Sequence, residues 1–167
     1  NEVLTTLFFL SAGLFMGWSL GANDAANIFG TAVGTKMIRF TTAAAICSVF
    51  VILGAVVSGT GPTRTLGKLG AINTMPGAFT VSFAAAFTVM MMTKKGLPVS
   101  TSQAIVGAII GWNMFTGTET KSDVLTKIMG TWIFTPILAG FFAAIFYFIF
   151  KYILENVKIH LLKLDKY

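Results

Sequence analysis

The chain has 167 residues, 55% of them hydrophobic and 11% charged, with a net charge of +6. A soluble domain carries roughly a quarter charged residues, so these totals exclude an ordinary water-soluble fold and indicate an integral membrane protein. The basic residues sit in short loops and the tail with no stripe of interleaved aromatics, which argues against nucleic-acid binding. The single Cys47 excludes an internal disulfide or a thiolate metal cluster.

Val3 to Leu20 is an apolar run long enough to cross the roughly 30 Å hydrocarbon core of a bilayer. No basic region with a small-residue cleavage pattern precedes it, so it reads as a retained span and not a signal peptide. The opening on Asn1, without an initiator Met, is read as a start inside a longer polypeptide. Gly13, Gly17 and Gly21 recur every fourth residue and form a bare stripe suited to helix packing.

Directly after this run come Asn23, Asp24 and Asn27, with no basic residue before Lys36. An ionisable group at membrane depth costs several kcal/mol, roughly 2.5 to 3.5 on insertion scales, so a compensating partner is expected. Three side-chain oxygens, with carbonyls freed where Gly21 is expected to interrupt the helix, form a hard-oxygen set. Such a set suits Na+, or a proton on Asp24, better than a soft metal. The alternative is that Asn23 or Asp24 only caps a helix starting at Ala25.

Lys36 to Arg39 reads as a short basic turn and Thr41 to Ser58 as a second span. Gly59 to Gly70 reads as a loop by its Gly and Pro content. Its likeness to a phosphate-binding P-loop fails, because Gly61 to Gly67 is one residue too wide and Leu69 stands where Ser or Thr should follow the lysine. Pro76 to Met92 is a third span, closed by Thr93-Lys94-Lys95. Met90, Met91 and Met92 point in different directions around a helix and read as packing, not as a copper path.

Gly96-Leu-Pro-Val-Ser-Thr-Ser-Gln103 opens a further apolar run, to Phe115. Ser100 and Gln103 have capping-box spacing, and Pro98 suits the approach to a helix start. A helix N-terminus inside a membrane presents free N–H groups and the positive end of its dipole. With the hydroxyls of Ser100, Thr101 and Ser102, that tip would suit a tetrahedral oxyanion, and an ordinary capped helix fits the spacing equally well. No Arg or Lys lies within the motif, so co-bound cations would balance the charge, a physical reason to expect symport. Thr116 to Lys127 reads as a polar loop, and Ile128 to Phe150 as the last long span, with Pro136 close to its start. Residues 151–167 read as a tail lying at the headgroups or facing the cytoplasm or periplasm, with His160 on its surface. The only His is in that tail, so no nucleophile–base pair is visible and an enzyme is not expected.

The two polar stretches share a rhythm. Asn23-Asp24 and Ser100-Thr101 precede Gly30 and Gly107 at the same interval, and Gly34 and Gly111 follow four residues on. Each reads as a polar tip followed by a Gly-lined half-helix, which would let two such elements pack together.

At these residues the chain resembles the inorganic phosphate transporter (PiT) family. Gly21-Ala-Asn-Asp-Ala-Ala-Asn27, running on to Gly30-Thr31 and Gly34-Thr35, is similar to that family's signature, and Gly96 to Gly107 to its second landmark. The resemblance covers nearly the whole chain but about the first half of a family member. It implies an all-α integral membrane protein of the cell (plasma or inner) membrane, multi-pass, forming one half of an inverted-repeat secondary transporter with interrupted or re-entrant helices. Residues 1–167 would then be the N-terminal transmembrane repeat. Carried over position by position, Asp24, Asn23, Asn27 and Thr101 fall at the coupling cation, Na+ in preference to H+. Ser100, Thr101, Ser102, Gln103 and Asn23 fall at inorganic phosphate. Other implied partners are a second inverted repeat from the same or another chain, the lipid bilayer and a homodimer. Two alternatives stay open: a transporter of another tetrahedral oxyanion such as sulfate, and a non-transporting structural membrane subunit whose polar motifs only cap and pack helices.

Overall fold

The computed structural model describes residues 2–70, 72 and 74–156. These form helices and turns, with no strand among the described residues: α1 (Glu2–Gly34), α2 (Phe40–Ser58), α3 (Thr60–Leu69), α4 (Met75–Lys94), α5 (Thr101–Thr116) and α6 (Ser122–Asn156). Four of them, α1, α2, α4 and α6, are long and apolar enough to cross a membrane. The protein is a multi-pass, all-α integral membrane protein. Helices are the expected solution, because lipid offers no partner for an open backbone N–H or C=O.

The chain divides into two units, residues 1–124 and 125–167. In the first, α4 is the centre. Its Val81, Ala85, Ala86 and Val89 are buried, and this run of small side chains lets neighbouring helices approach closely enough for dispersion to hold them. On one side α1 runs parallel to α4, from Phe8 stacked on Phe79 (centroids 4.9 Å apart), past Phe15 on Phe83 (5.7 Å), to Asn23 on Thr93. On the other, α5 returns antiparallel. Its Trp112 lies so close to Gly77 that an added Cβ there would meet the indole at 2.9 Å. The far end is tied by Asn113, whose amide donates to Thr120 Oγ1 (2.9 Å) and to the Leu69 carbonyl (3.4 Å). Gly70 fits beneath it only for lack of a side chain, since a Cβ would stand 2.6 Å from Asn113 Oδ1 and 2.7 Å from Ile109 Cγ2.

The second unit contains most of α6. That helix carries exposed Ile, Phe and Leu side chains from Ile133 to Leu154 and an exposed Lys151–Glu155 pair at 3.9 Å. His160 and the end of the expected headgroup tail lie outside the described residues.

Several boundaries differ from the sequence reading. α1 is one continuous helix through Gly21, so no carbonyls are freed there and neither Asn23 nor Asp24 caps a new helix at Ala25. A mid-helix glycine costs about 1 kcal/mol, less than exposing several unpaired backbone groups to lipid. Gly59 to Gly70 is mostly the helix α3 and not a loop. Its Pro62 falls in the first turn, where a missing N–H has no intrahelical partner to lose. The polar segment after Thr116 is shorter than expected. Gly117 (φ 69°) ends α5 in the left-handed conformation, α6 starts by Ser122, and Pro136 lies well inside it.

Candidate functional site

The tip of the α4–α5 hairpin gathers around two neighbouring residues of α1. α4 ends in a Schellman-type turn: Gly96 takes φ 70°, and the Leu97 N–H donates back to the Met92 carbonyl at 3.0 Å. The chain then runs extended to Ser100, which caps α5 by accepting the Gln103 N–H on its Oγ at 3.3 Å. The helix start expected at Ser100 is therefore where α5 begins, with the serine half of the capping box made and no return bond from the Gln103 side chain among the described residues.

Asn23, 4% exposed, binds this tip in three ways. Its Nδ2 donates to Thr93 Oγ1 at 2.8 Å and to the Leu97 carbonyl at 3.4 Å, and its Oδ1 accepts the Val99 N–H at 3.2 Å. Thr93 Oγ1 in turn donates to the Val89 carbonyl at 2.8 Å. One amide thus spans the end of α4, the connection and the approach to α5. Next to it, half-buried Asp24 accepts the Thr101 hydroxyl on both carboxylate oxygens, at 3.3 and 3.2 Å. Thr101, 3% exposed, is the first residue of α5, so the acid of one polar stretch sits at the helix tip of the other. These contacts are longer than the 2.7–2.8 Å typical of O–H···O bonds, so the pair is held loosely.

Among the expected site residues, the structure therefore brings together Asn23, Asp24, Ser100 and Thr101. Asn27, Ser102 and Gln103 are exposed, and none makes a side-chain hydrogen bond among the described residues. At Gly13, Gly17, Gly21, Gly30, Gly34, Gly107 and Gly111 an added Cβ would meet nothing within 4 Å, so among the described residues nothing packs closely against those positions. Gly17, Gly21, Gly30 and Gly34 line an apolar groove of about 800 Å³, walled on the other side by Ala43, Ala44, Cys47 and Ser48 of α2. Sequence reasoning missed Thr93, Leu97 and Val99, which hold Asn23. Their signal was weak: a hydroxyl closing an apolar run, and two backbone groups.

Position along the helices follows from the same geometry. Asp24 precedes the end of α1 at Gly34 by ten residues, about 15 Å at a rise of about 1.5 Å per residue. Counting the same distance back along α2 from Phe40 reaches Phe50, next to the middle of that helix. Counted along the chain, Asp24 thus lies as far from the turn between α1 and α2 as the middle of α2 does. α5, at 16 residues or about 24 Å, is shorter than a roughly 30 Å hydrocarbon core. No group of three or more His, Cys, Asp or Glu is gathered among the described residues. What is gathered instead is a carboxylate, hydroxyls and amide oxygens, donors for a hard cation, beside the N–H groups of a helix tip.

Residues 20–164 match the family model described as the phosphate transporter family. The chain belongs to that family. It is 35% identical over 156 residues to a candidate phosphate permease of Pyrococcus furiosus, an alignment covering 87% of this chain and 37% of that protein. A candidate phosphate permease of Haemophilus influenzae is 35% identical over 143 residues, covering 78% and 34%. One of Mycobacterium tuberculosis is 28% identical over 170 residues, covering 90% and 31%. The chain spans less than two fifths of the length of these relatives. No solved structure matches it. Both polar stretches of this phosphate transporter family member, from Gly21 and from Gly96, fall inside the matched residues.

Proposed function

We propose that this chain is one repeat of a cation-coupled inorganic phosphate symporter. A cation, Na+ in preference to H+, binds at Asp24 with Asn23, Asn27 and Thr101. Phosphate binds at the N-terminus of α5 through Ser100, Thr101, Ser102 and Gln103, bordered by Asn23. The observation that carries this reading is the Asp24–Thr101 pair at 3.2–3.3 Å, which joins the two motifs at the tip of a helix.

Electrostatics then gives the chemistry. A free carboxylate beside the tip repels an incoming oxyanion. A cation on the carboxylate removes that repulsion and frees the Thr101 hydroxyl to turn toward phosphate, so the two solutes support each other's binding. The short α5 and a tip that stops ten residues before the end of α1 favour a re-entrant hairpin, a form of non-helical backbone that membranes tolerate only where it lines a cavity. The open glycine faces and the greater length of the relatives favour a second, inverted repeat that completes the site. Rocking of the two repeats around it would give alternating access.

Asp24→Asn in the intact protein, reconstituted in liposomes, tests the reading. Cation-driven uptake of inorganic phosphate should fall to background. Unchanged uptake would refute the role given to Asp24, and uptake of sulfate in place of phosphate would move the substrate to another oxyanion.

A further inference from the structure

The structure puts two lysines inside the connection that Asn23 clasps. Lys94 is the last residue of α4 and Lys95 its C-cap, between Thr93 and Leu97, both of which accept hydrogen bonds from Asn23. Both lysines are exposed, and neither makes an ion pair among the described residues. Asp24 is the one acid among the residues that meet at this tip, so basic side chains outnumber acidic ones there by two to one. The C-terminal dipole of α4 welcomes a cation, but by only about 0.3–1 kcal/mol and without requiring two. An ammonium drawn into lipid needs an anion or water, because burial there unpaired costs several kcal/mol. Lysine stems are flexible, so both head groups can swing about the tip while the backbone beneath them stays clasped.

We propose that Lys94 and Lys95 form a cationic collar at the hairpin tip that draws a phosphate-group anion toward the N-terminus of α5. The collar rests on the symport reading given above and adds to it a site for the attraction, and hence the apparent affinity, of the substrate. It also supplies fixed positive charge where the helix tip itself carries no basic side chain. The same chemistry would attract a lipid phosphate headgroup, and the test separates the two sources.

The intact protein carrying Lys94→Gln with Lys95→Gln is assayed for inorganic phosphate uptake in phosphatidylcholine vesicles. At low ionic strength its KM for phosphate should rise about tenfold, the scale of electrostatic attraction to a charged cleft. The difference should shrink as salt shortens the screening length below about 10 Å. Lys94→Arg with Lys95→Arg should restore the wild-type KM, and Lys127→Gln, which removes a charge from the other unit, should not change it. Phosphate-induced thermal stabilisation of the purified variants gives the same comparison without transport. A KM within about twofold of wild type at low salt, below the smallest expected gain from steering, overturns the collar. A difference that appears only in vesicles containing phosphatidylglycerol assigns the lysines to lipid headgroups and overturns it too. If Asp24→Asn abolishes uptake while the glutamine pair does not alter KM, the collar fails and the symport reading stands. A wild-type protein that moves no phosphate and is not stabilised by it overturns both.

Discussion

Replacing Asn23 with Ala removes the clasp on the hairpin tip. Its strongest hydrogen bond is from Nδ2 to Thr93 Oγ1 at 2.8 Å, while Nδ2 to the Leu97 carbonyl at 3.4 Å is marginal. Without the third, Oδ1 to the Val99 N–H at 3.2 Å, a partly buried donor has no acceptor. One good hydrogen bond contributes about 1 kcal/mol, and an orphaned donor costs about 1–3 kcal/mol. Thr93 Oγ1 keeps its bond to the Val89 carbonyl and adds no further penalty. The expected destabilisation is therefore about 2–3 kcal/mol, toward the lower value because interhelical bonds in membranes average about 0.6 kcal/mol. Denaturant unfolding of the intact protein in mild detergent measures it, and hydrogen exchange at the Val99 amide localises it. Thr93→Val should destabilise by about 1 kcal/mol, and the double variant by less than the sum, since both act through one hydrogen bond. An Asn23→Ala protein within about 0.5 kcal/mol of wild type, with Val99 still protected, would refute the clasp.

Lys36 is the one non-glycine with positive φ among the described residues (61°), at the turn ending α1, so Lys36→Gly should raise stability by about 1 kcal/mol, read by thermal unfolding. Gly70→Ala should cost about 1–3 kcal/mol, because its Cβ meets Asn113 Oδ1 at 2.6 Å and Ile109 at 2.7 Å, and Asn113→Ala in the same chain should recover part of the loss. Ser19 is fully buried and its Oγ has no hydrogen-bond partner among the described residues, so Ser19→Ala should be neutral or stabilising by about 1 kcal/mol in the same unfolding assay. Ser100→Ala should remove a cap, about 1 kcal/mol of α5 stability, and combined with Ser102→Ala should weaken phosphate binding measured by calorimetry.

What the sequence revealed followed the range of the forces involved. Apolar length marked α2, α4 and the body of α6 to within a few residues, because transfer into lipid is a sum over the segment itself. The Ser100 cap was legible for a similar reason, its partner being the N–H three residues on. The continuity of α1 was hidden because Gly21, followed by a polar cluster, was read as a break of the kind tolerated where a helix lines a cavity. In lipid, the cost of freeing backbone groups exceeds the glycine penalty. α3 was hidden by Pro62, which breaks a helix interior but not a first turn. The partners of Asn23, 70 to 76 residues away, depended on which face of α1 meets α4, and that is decided by small buried residues on both helices rather than by any local pattern.

The stagger between helices explains why chemistry gathers at this point. If α1 and α4 ended together, the hairpin tip would lie at a membrane surface, where water satisfies Asp24, the Thr101 hydroxyl and the start of α5 without help. Instead α1 runs ten residues past Asp24 and α2 folds back beside that extension. The tip is left ten residues short of the end of α1, and wherever water is excluded there its polar groups must satisfy one another or bind solutes. Asn23 exhausts its donors in holding the tip, and the loose Asp24–Thr101 contact next to it is the part of the cluster with capacity to spare. Rigid support on one side and a weakly paired charge on the other is the division of labour that the proposed ion binding requires. The same division predicts opposite signatures: Asn23 variants should act first on stability, and Asp24 variants first on transport.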